Sequence, residues 1–281
     1  VFINCGGAAA TLFVIYKIFY GEDRQLYGLN YFYIFCYLKE NSDRLNVYFQ
    51  SAHPQYKDLT LDEYDLEREK ISFEGCISSF DNTNLSVISV SDPGHFLPGI
   101  TSSYYVGSPE LNFPQLIAQV INKITFLANI KLSNTLLFGS SAGTFGALLS
   151  STYLKEKTNV MAVNSQINIR YRQDIMQSCL GLTNSQEILQ KFGNQVSCID
   201  RFQQDLHSIP NIYILANVND NLYSRNFKFY QIYLERFSKK GANNQSVFDS
   251  YYGVDGHGRP ELSSLKAKIK IAREVLTMKS R

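Results

Sequence analysis

At 281 residues the chain has the length of one large α/β domain, and 44% hydrophobic against 19% charged residues suits a protein with a sizeable core rather than a disordered one. A net charge of +2, with Lys and Arg scattered, lacks the concentrated basic stripe of a nucleic-acid binder, so no nucleic-acid partner is expected. Cys5, Cys36, Cys76, Cys179 and Cys198 form an odd set without a C-x-x-C pair, which argues against a zinc site or a disulfide framework, predicts no metal and fits a reducing cytoplasm.

The apolar run from Ala8 to Tyr20 is broken by Lys17 and falls short of the ~20 residues that span a bilayer, so it reads as a strand, with no transmembrane segment expected. It lacks the basic start of a signal peptide, and a chain beginning at Val1 rather than Met reads as part of a longer protein. Aromatic and β-branched runs bounded by turn residues, "TLFVIYKIFYGED", "YFYIFCYLKENSD", "LNVYFQSAHPQ" and "LSVISVSDPGH", predict four strands in the first third. Leu116, Ile117, Val120, Ile121, Ile124 and Leu127 then fall at helical spacing. The strand "NTLLFGS" follows, then a helix through Leu154, the strand "NVMAVNSQ" and a polar, mostly helical insertion from about 168 to 208. The strand "NIYILANVND", a helix around 225 to 238, the short strand "SVFDSYYGV" and an amphipathic helix from about 260 to 278 complete the order. Alternating strands and helices predict a mostly parallel sheet covered on both faces, as one domain over 1–281 without repeats or linkers.

Gly139-Ser140-Ser141-Ala142-Gly143 crowds small residues where a buried strand should hand over to a helix. In the α/β-hydrolase fold, G-x-S-x-G is the sharp turn that lifts a nucleophilic serine above the sheet, which makes Ser141 the candidate nucleophile. A phosphate-cradling turn is the competing reading, since Gly139, Gly143 and Gly146 echo a dinucleotide loop and Tyr153 with Lys157 mimics Y-x-x-x-K. Order counts against it: a dinucleotide loop belongs to the first strand–helix unit of its domain, and a Walker loop needs Lys where Thr144 stands.

A serine nucleophile needs a base and an orienting carboxylate, in the chain order Ser, Asp/Glu, His. His257, in "GVDGHGRP" between the last strand and the last helix, is the candidate base, whereas His207 lies inside the insertion, ahead of the acid-bearing strand. Asp220 follows that strand directly and is favoured as the acid over Asp255, two residues before His257. The oxyanion of an acyl transfer needs two backbone N–H donors. Ala142 is the first, and the loop "FQSAHP", through Ser51 or Ala52, is the candidate for the second. His53 and His95, at strand ends on the same side, are candidate substrate contacts.

The segments "LNVYFQSAHPQYKD", "SVSDPG", "SSYYVG", "TLLFGSSAGTFGALLSS" and "VNSQINIRY", in this order over about residues 44 to 260, resemble the bacterial capsule polysaccharide O-acetyltransferases of α/β-hydrolase fold and their accessory-secretion relatives. The resemblance implies transfer of acetyl from acetyl-CoA, a donor substrate rather than a bound cofactor, to a hydroxyl of a capsule or surface polysaccharide through an acetyl-serine. It also implies association with capsule-assembly machinery. Ser141, Asp220 and His257 match the family's triad, and Gln166 falls in a substrate-side motif that reads Asn-Pro-Gln in relatives and Asn164-Ser165-Gln166 here. The same triad serves a carboxylesterase or thioesterase, which stands as the alternative.

Overall fold

Leu45–Phe49, Ser86–Val90, Thr135–Ser140 and Asn159–Val163 are buried at every position. Strands covered on both faces read as unbroken apolar runs, and these four form the middle of the sheet. The computed structural model describes residues 2–5, 8–15, 32–39, 41–52, 85–92 and 100–277. In chain order the strands are β1 (Phe2–Cys5), β2 (Ala8–Ile15), β3 (Phe32–Leu38), β4 (Leu45–Phe49), β5 (Ser86–Val90), β6 (Thr135–Ser140), β7 (Asn159–Val163), β8 (Asn211–Asn217) and β9 (Ser246–Tyr251). Among the described residues they form one nine-stranded sheet in the order β1-β2-β3-β5-β4-β6-β7-β8-β9. β1, β2 and β3 join antiparallel, and every pairing from β5 through β9 is parallel. The register sets Phe49 beside Gly139, Ser140 beside Val163 and Val163 beside Leu215, so the carboxyl ends of β4, β6, β7 and β8 reach one edge together.

Side chains alternate between the two faces with the period of two that a pleated strand imposes. Val47, Ile88, Leu137, Val160 and Ile212 pack with Ile117 and Ile121 of helix α1 (Phe113–Leu127) and Phe145 and Leu148 of helix α2 (Ala142–Ser151). Tyr48, Leu136, Phe138, Met161, Tyr213 and Leu215 point the other way. They meet Leu265, Ala272 and Leu276 of the C-terminal helix. Between the two ends run α3 (Gln173–Leu180), α4 (Ser185–Val196), α5 (Cys198–Gln204), α6 (Tyr223–Lys228) and α7 (Glu235–Lys239), with α8 (Leu262–Thr277) last. The Asn112 side chain caps α1 by accepting the N–H of Gln115, with Pro114 in the first turn, where its missing N–H is harmless.

The predicted elements recur with three differences. β1 was not expected; its residue Cys5 pairs with Ala8 of β2, and Gly6-Gly7 between them is a hairpin signal. The helix predicted through Leu154 ends at Ser151. The helix predicted around 225 to 238 is interrupted by a π-helical segment, Phe229–Leu234, whose i to i+5 bonding brings the buried Phe229 and Leu234 to the same side. The predicted strand from Ala8 is present as β2 to Ile15, and its remainder to Tyr20 lies outside the described residues. Among the described residues, no helix is long and apolar enough to cross a membrane.

Candidate active site

β6 ends at Ser140 and α2 begins at Ala142, so Ser141 alone turns the chain, at φ 52° and ψ −118°. An L-residue is strained there. Two close approaches force the neighbouring glycines: a Cβ on Gly139 would overlap the Gly143 backbone, and one on Gly143 would lie 2.9 Å from Gln50 O and nearer still to Phe49 O. The turn is also held from β7. Ser141 N–H donates to Val163 O at 2.9 Å, Thr144 Oγ1 donates to Ser141 O at 2.5 Å, and Gln166 N–H donates to Thr144 Oγ1 at 3.0 Å.

Three residues beyond the end of β8, the Asp220 side chain is 1% exposed, and its Oδ1 accepts the N–H of Leu222 at 2.9 Å. Its Oδ2 lies 2.8 Å from His257 Nδ1, and His257 Nε2 lies 2.7 Å from Ser141 Oγ. A carboxylate at Nδ1 selects the tautomer protonated there, which leaves the Nε2 lone pair facing the serine hydroxyl. His257 arrives from the loop after β9 with its side chain 42% exposed, so the hydrogen-bonded row runs from a dry carboxylate to a half-buried serine. It can relay a proton from that nucleophile.

Asn217, the last residue of β8, ties the His257 loop to the Asp220 turn. Its Nδ2 donates to Gly256 O at 2.8 Å and Gly253 O at 3.1 Å, and its Oδ1 accepts the N–H groups of Gly253 and Asn219. Arg259 reaches across to β4's loop, donating from Nη2 to Ser51 Oγ at 2.8 Å, and that hydroxyl donates to Ser140 O at 2.5 Å. Neither Asn217 nor Arg259 is among the site residues expected from the sequence. A polar residue ending an apolar strand at the carboxyl edge is the signal that Asn217 carried.

Ala142, buried, opens α2, where the first N–H groups of a helix have no intrahelical acceptor. Ser51 lies against the end of β6 with its hydroxyl engaged, so only its backbone N–H, or that of the half-buried Ala52, is left to act as an oxyanion donor. Gln166 is half-buried beside Thr144. Asp255 meets the site through its carbonyl oxygen, which accepts from Asn217 Nδ2 at 3.4 Å and from Gly258 N–H at 2.5 Å, while His257 Nδ1 faces Asp220. His207 sits in a short 3₁₀ turn, Leu206–Ser208. His53 and His95 lie outside the described residues. Among the described residues, no cluster of three or more His, Cys, Asp or Glu side chains is arranged to hold a metal ion.

No protein-family model matches the sequence, and no curated protein matches it. Solved structures do resemble it. The capsule O-acetyltransferase of Neisseria meningitidis serogroup A superposes with a TM-score of 0.63 at 16% identity, over 90% of this chain and 97% of its own, and a mutant of it has been solved in complex with CoA. The fluorophosphonate-binding serine hydrolase F of Staphylococcus aureus gives 0.55 at 14% identity, over 97% of this chain and 99% of its own. An S-formylglutathione hydrolase from Agrobacterium tumefaciens gives 0.55 at 12% identity, over 98% of each chain. At such identities what is shared is the architecture, and with its parallel strands, sharp strand-to-helix serine turn and helices on both faces, this chain has the α/β-hydrolase fold.

Proposed function

We propose that the chain is a serine-dependent O-acetyltransferase, one α/β-hydrolase-like domain in the cytoplasm, that moves acetyl from acetyl-CoA to a hydroxyl of a bacterial capsule or surface polysaccharide. The observation that carries the chemistry is the row Ser141 Oγ, His257 Nε2, His257 Nδ1 and Asp220 Oδ2, with gaps of 2.7 and 2.8 Å. The choice of donor is supported by the likeness to a capsule O-acetyltransferase solved with CoA.

In this reading Ser141 Oγ attacks the thioester carbonyl as His257 Nε2 takes its proton, and the Asp220 carboxylate stabilises the imidazolium that forms. The N–H of Ala142 and one N–H of the Ser51–Ala52 segment hold the oxyanion. As the tetrahedral intermediate collapses, the C–S bond breaks and the CoA sulfur leaves with the proton from His257. An acceptor hydroxyl then attacks the acetyl-serine, giving its proton to His257, and Ser141 recovers that proton as the ester product departs. Gln166, His53 and His95 serve the acceptor side, and the helices of the 168–208 insertion shape an acceptor groove that disfavours water.

A carboxylesterase or thioesterase is the second reading, favoured by the hydrolases that share the fold. One experiment separates the two. The protein is incubated with acetyl-CoA, with and without capsule-type oligosaccharides, while free thiol is followed and the Ser141 peptide is weighed. A mass gain of one acetyl on that peptide, discharged by an oligosaccharide with faster thiol release, is the transferase outcome. Rapid acetate formation that no acceptor alters identifies a hydrolase. Ser141→Ala is expected to abolish thiol release with the fold intact, and near-normal turnover in that variant removes both readings.

A further inference from the structure

The residue after β7, Asn164, is fully buried at φ 47°, a left-handed conformation that Asn tolerates better than most residues. Both ends of its carboxamide are engaged. Oδ1 accepts the N–H of Asn217 at 2.8 Å. Nδ2 faces three oxygens: the Tyr251 hydroxyl at 2.8 Å, Gly258 O at 3.0 Å and His257 O at 3.3 Å. The Tyr251 hydroxyl donates in turn to Gly258 O. Burial raises Tyr251 above the ordinary tyrosine range, so this donor keeps its proton. Asn217 begins the turn that carries Asp220, and Gly258 follows His257. One side chain therefore joins the two segments that deliver acid and base.

We infer that Asn164 is a positioning residue for proton transfer: it fixes the backbone of His257 relative to Asp220, and so sets the imidazole between Asp220 and Ser141, without touching substrate. This rests on Ser141, His257 and Asp220 being the reacting groups. The carbonyls held are those of the histidine itself and its neighbour, so losing the grip frees the loop at the point where a displacement of about 1 Å costs on the order of 100-fold in rate.

The test uses 4-nitrophenyl acetate as acyl donor and measures the saturating acylation rate and the half-saturation concentration separately, with far-UV circular dichroism as the fold control. Asn164→Asp keeps size and left-handed tolerance but sets a carboxylate oxygen against the His257 and Gly258 carbonyls, and Asn164→Gly keeps the backbone and removes the grip. Both are expected to lose about 100-fold in acylation rate, with half-saturation within about threefold of the parent. Acylation within about threefold of the parent in a folded variant overturns the inference. If neither variant folds, Tyr251→Phe decides at a half-buried position: roughly tenfold slower acylation at unchanged half-saturation supports it, and an unchanged rate overturns it. Ser141→Ala is run alongside. Acetyl-enzyme formed without that hydroxyl defeats the serine reading itself, whereas a dead Ser141→Ala beside parental Asn164 variants defeats the positioning role alone.

Discussion

Ser141 occupies a backbone conformation that costs an L-residue about 1–3 kcal/mol, and the hydrogens of Gly139 and Gly143 make the turn possible. The need for small residues on both sides is why the serine was legible: the constraint is local and leaves a fixed spacing. Asp220 and His257 were legible from strand order, and the structure joins all three by hydrogen bonds. Asn164 stood out only as a member of the motif around Gln166, and its grip was not legible, because a carboxamide that holds two adjacent carbonyls, a tyrosine hydroxyl and a strand-end N–H from distant parts of the chain leaves no pattern in any one of them. Between Asp220 and Asp255 the distances favour the former, since His257 Nδ1 meets its carboxylate. Asp220→Asn is therefore expected to cost on the order of 10⁴ in turnover, by presenting the wrong histidine tautomer. Asp255→Asn keeps the carbonyl by which that residue meets Asn217 and should stay near the parental rate. Thiol release from acetyl-CoA compares the two, and the reverse ranking refutes the assignment.

At the scale of elements, continuous burial made β4 to β7 readable as strands, and helical spacing did the same for α1. β1 escaped because four residues carry too little pattern to stand out, although the glycine pair after it was a usable mark. The π segment escaped because a period of 3.6 was assumed throughout the helix, whereas two large buried side chains five residues apart need a wider turn. The entry to α1 combines a cap with a tertiary tie, since Asn112 accepts the Gln115 N–H at 3.1 Å through Oδ1 and donates to the Tyr153 hydroxyl at 3.1 Å through Nδ2. Asn112→Ala is expected to lower stability by about 1 kcal/mol for the cap and by a further ~1 kcal/mol for the second bond. Urea unfolding reads this as a lower midpoint at unchanged slope, and a loss below about 0.5 kcal/mol would mean that neither bond contributes.

For the molecule as a whole, the sheet order was beyond the sequence reading. Periodicity identifies strands but not neighbours, and nothing in "LNVYF" announces that β4 slips between β5 and β6. That order gives the two halves of the site unequal support. Ser141 follows β6, a fully buried strand with a partner on each side, whereas His257 follows β9, a half-buried strand at the sheet's border whose one partner is β8 among the described residues. Border segments open at lower free energy than central ones. Warming should therefore silence the protein before melting it, by releasing the histidine while the serine stays seated. Cys36, Cys179 and Cys198 supply the complementary gauge: all three are buried, and burial pushes the Cys36 thiol up to about 12, so alkylation near neutral pH must await global opening. The proposed acetyl transfer is expected to fade reversibly some degrees below the temperature at which these thiols become modified. Coincident midpoints would mean instead that border and centre unfold as one unit, and that catalysis lasts as long as the fold does.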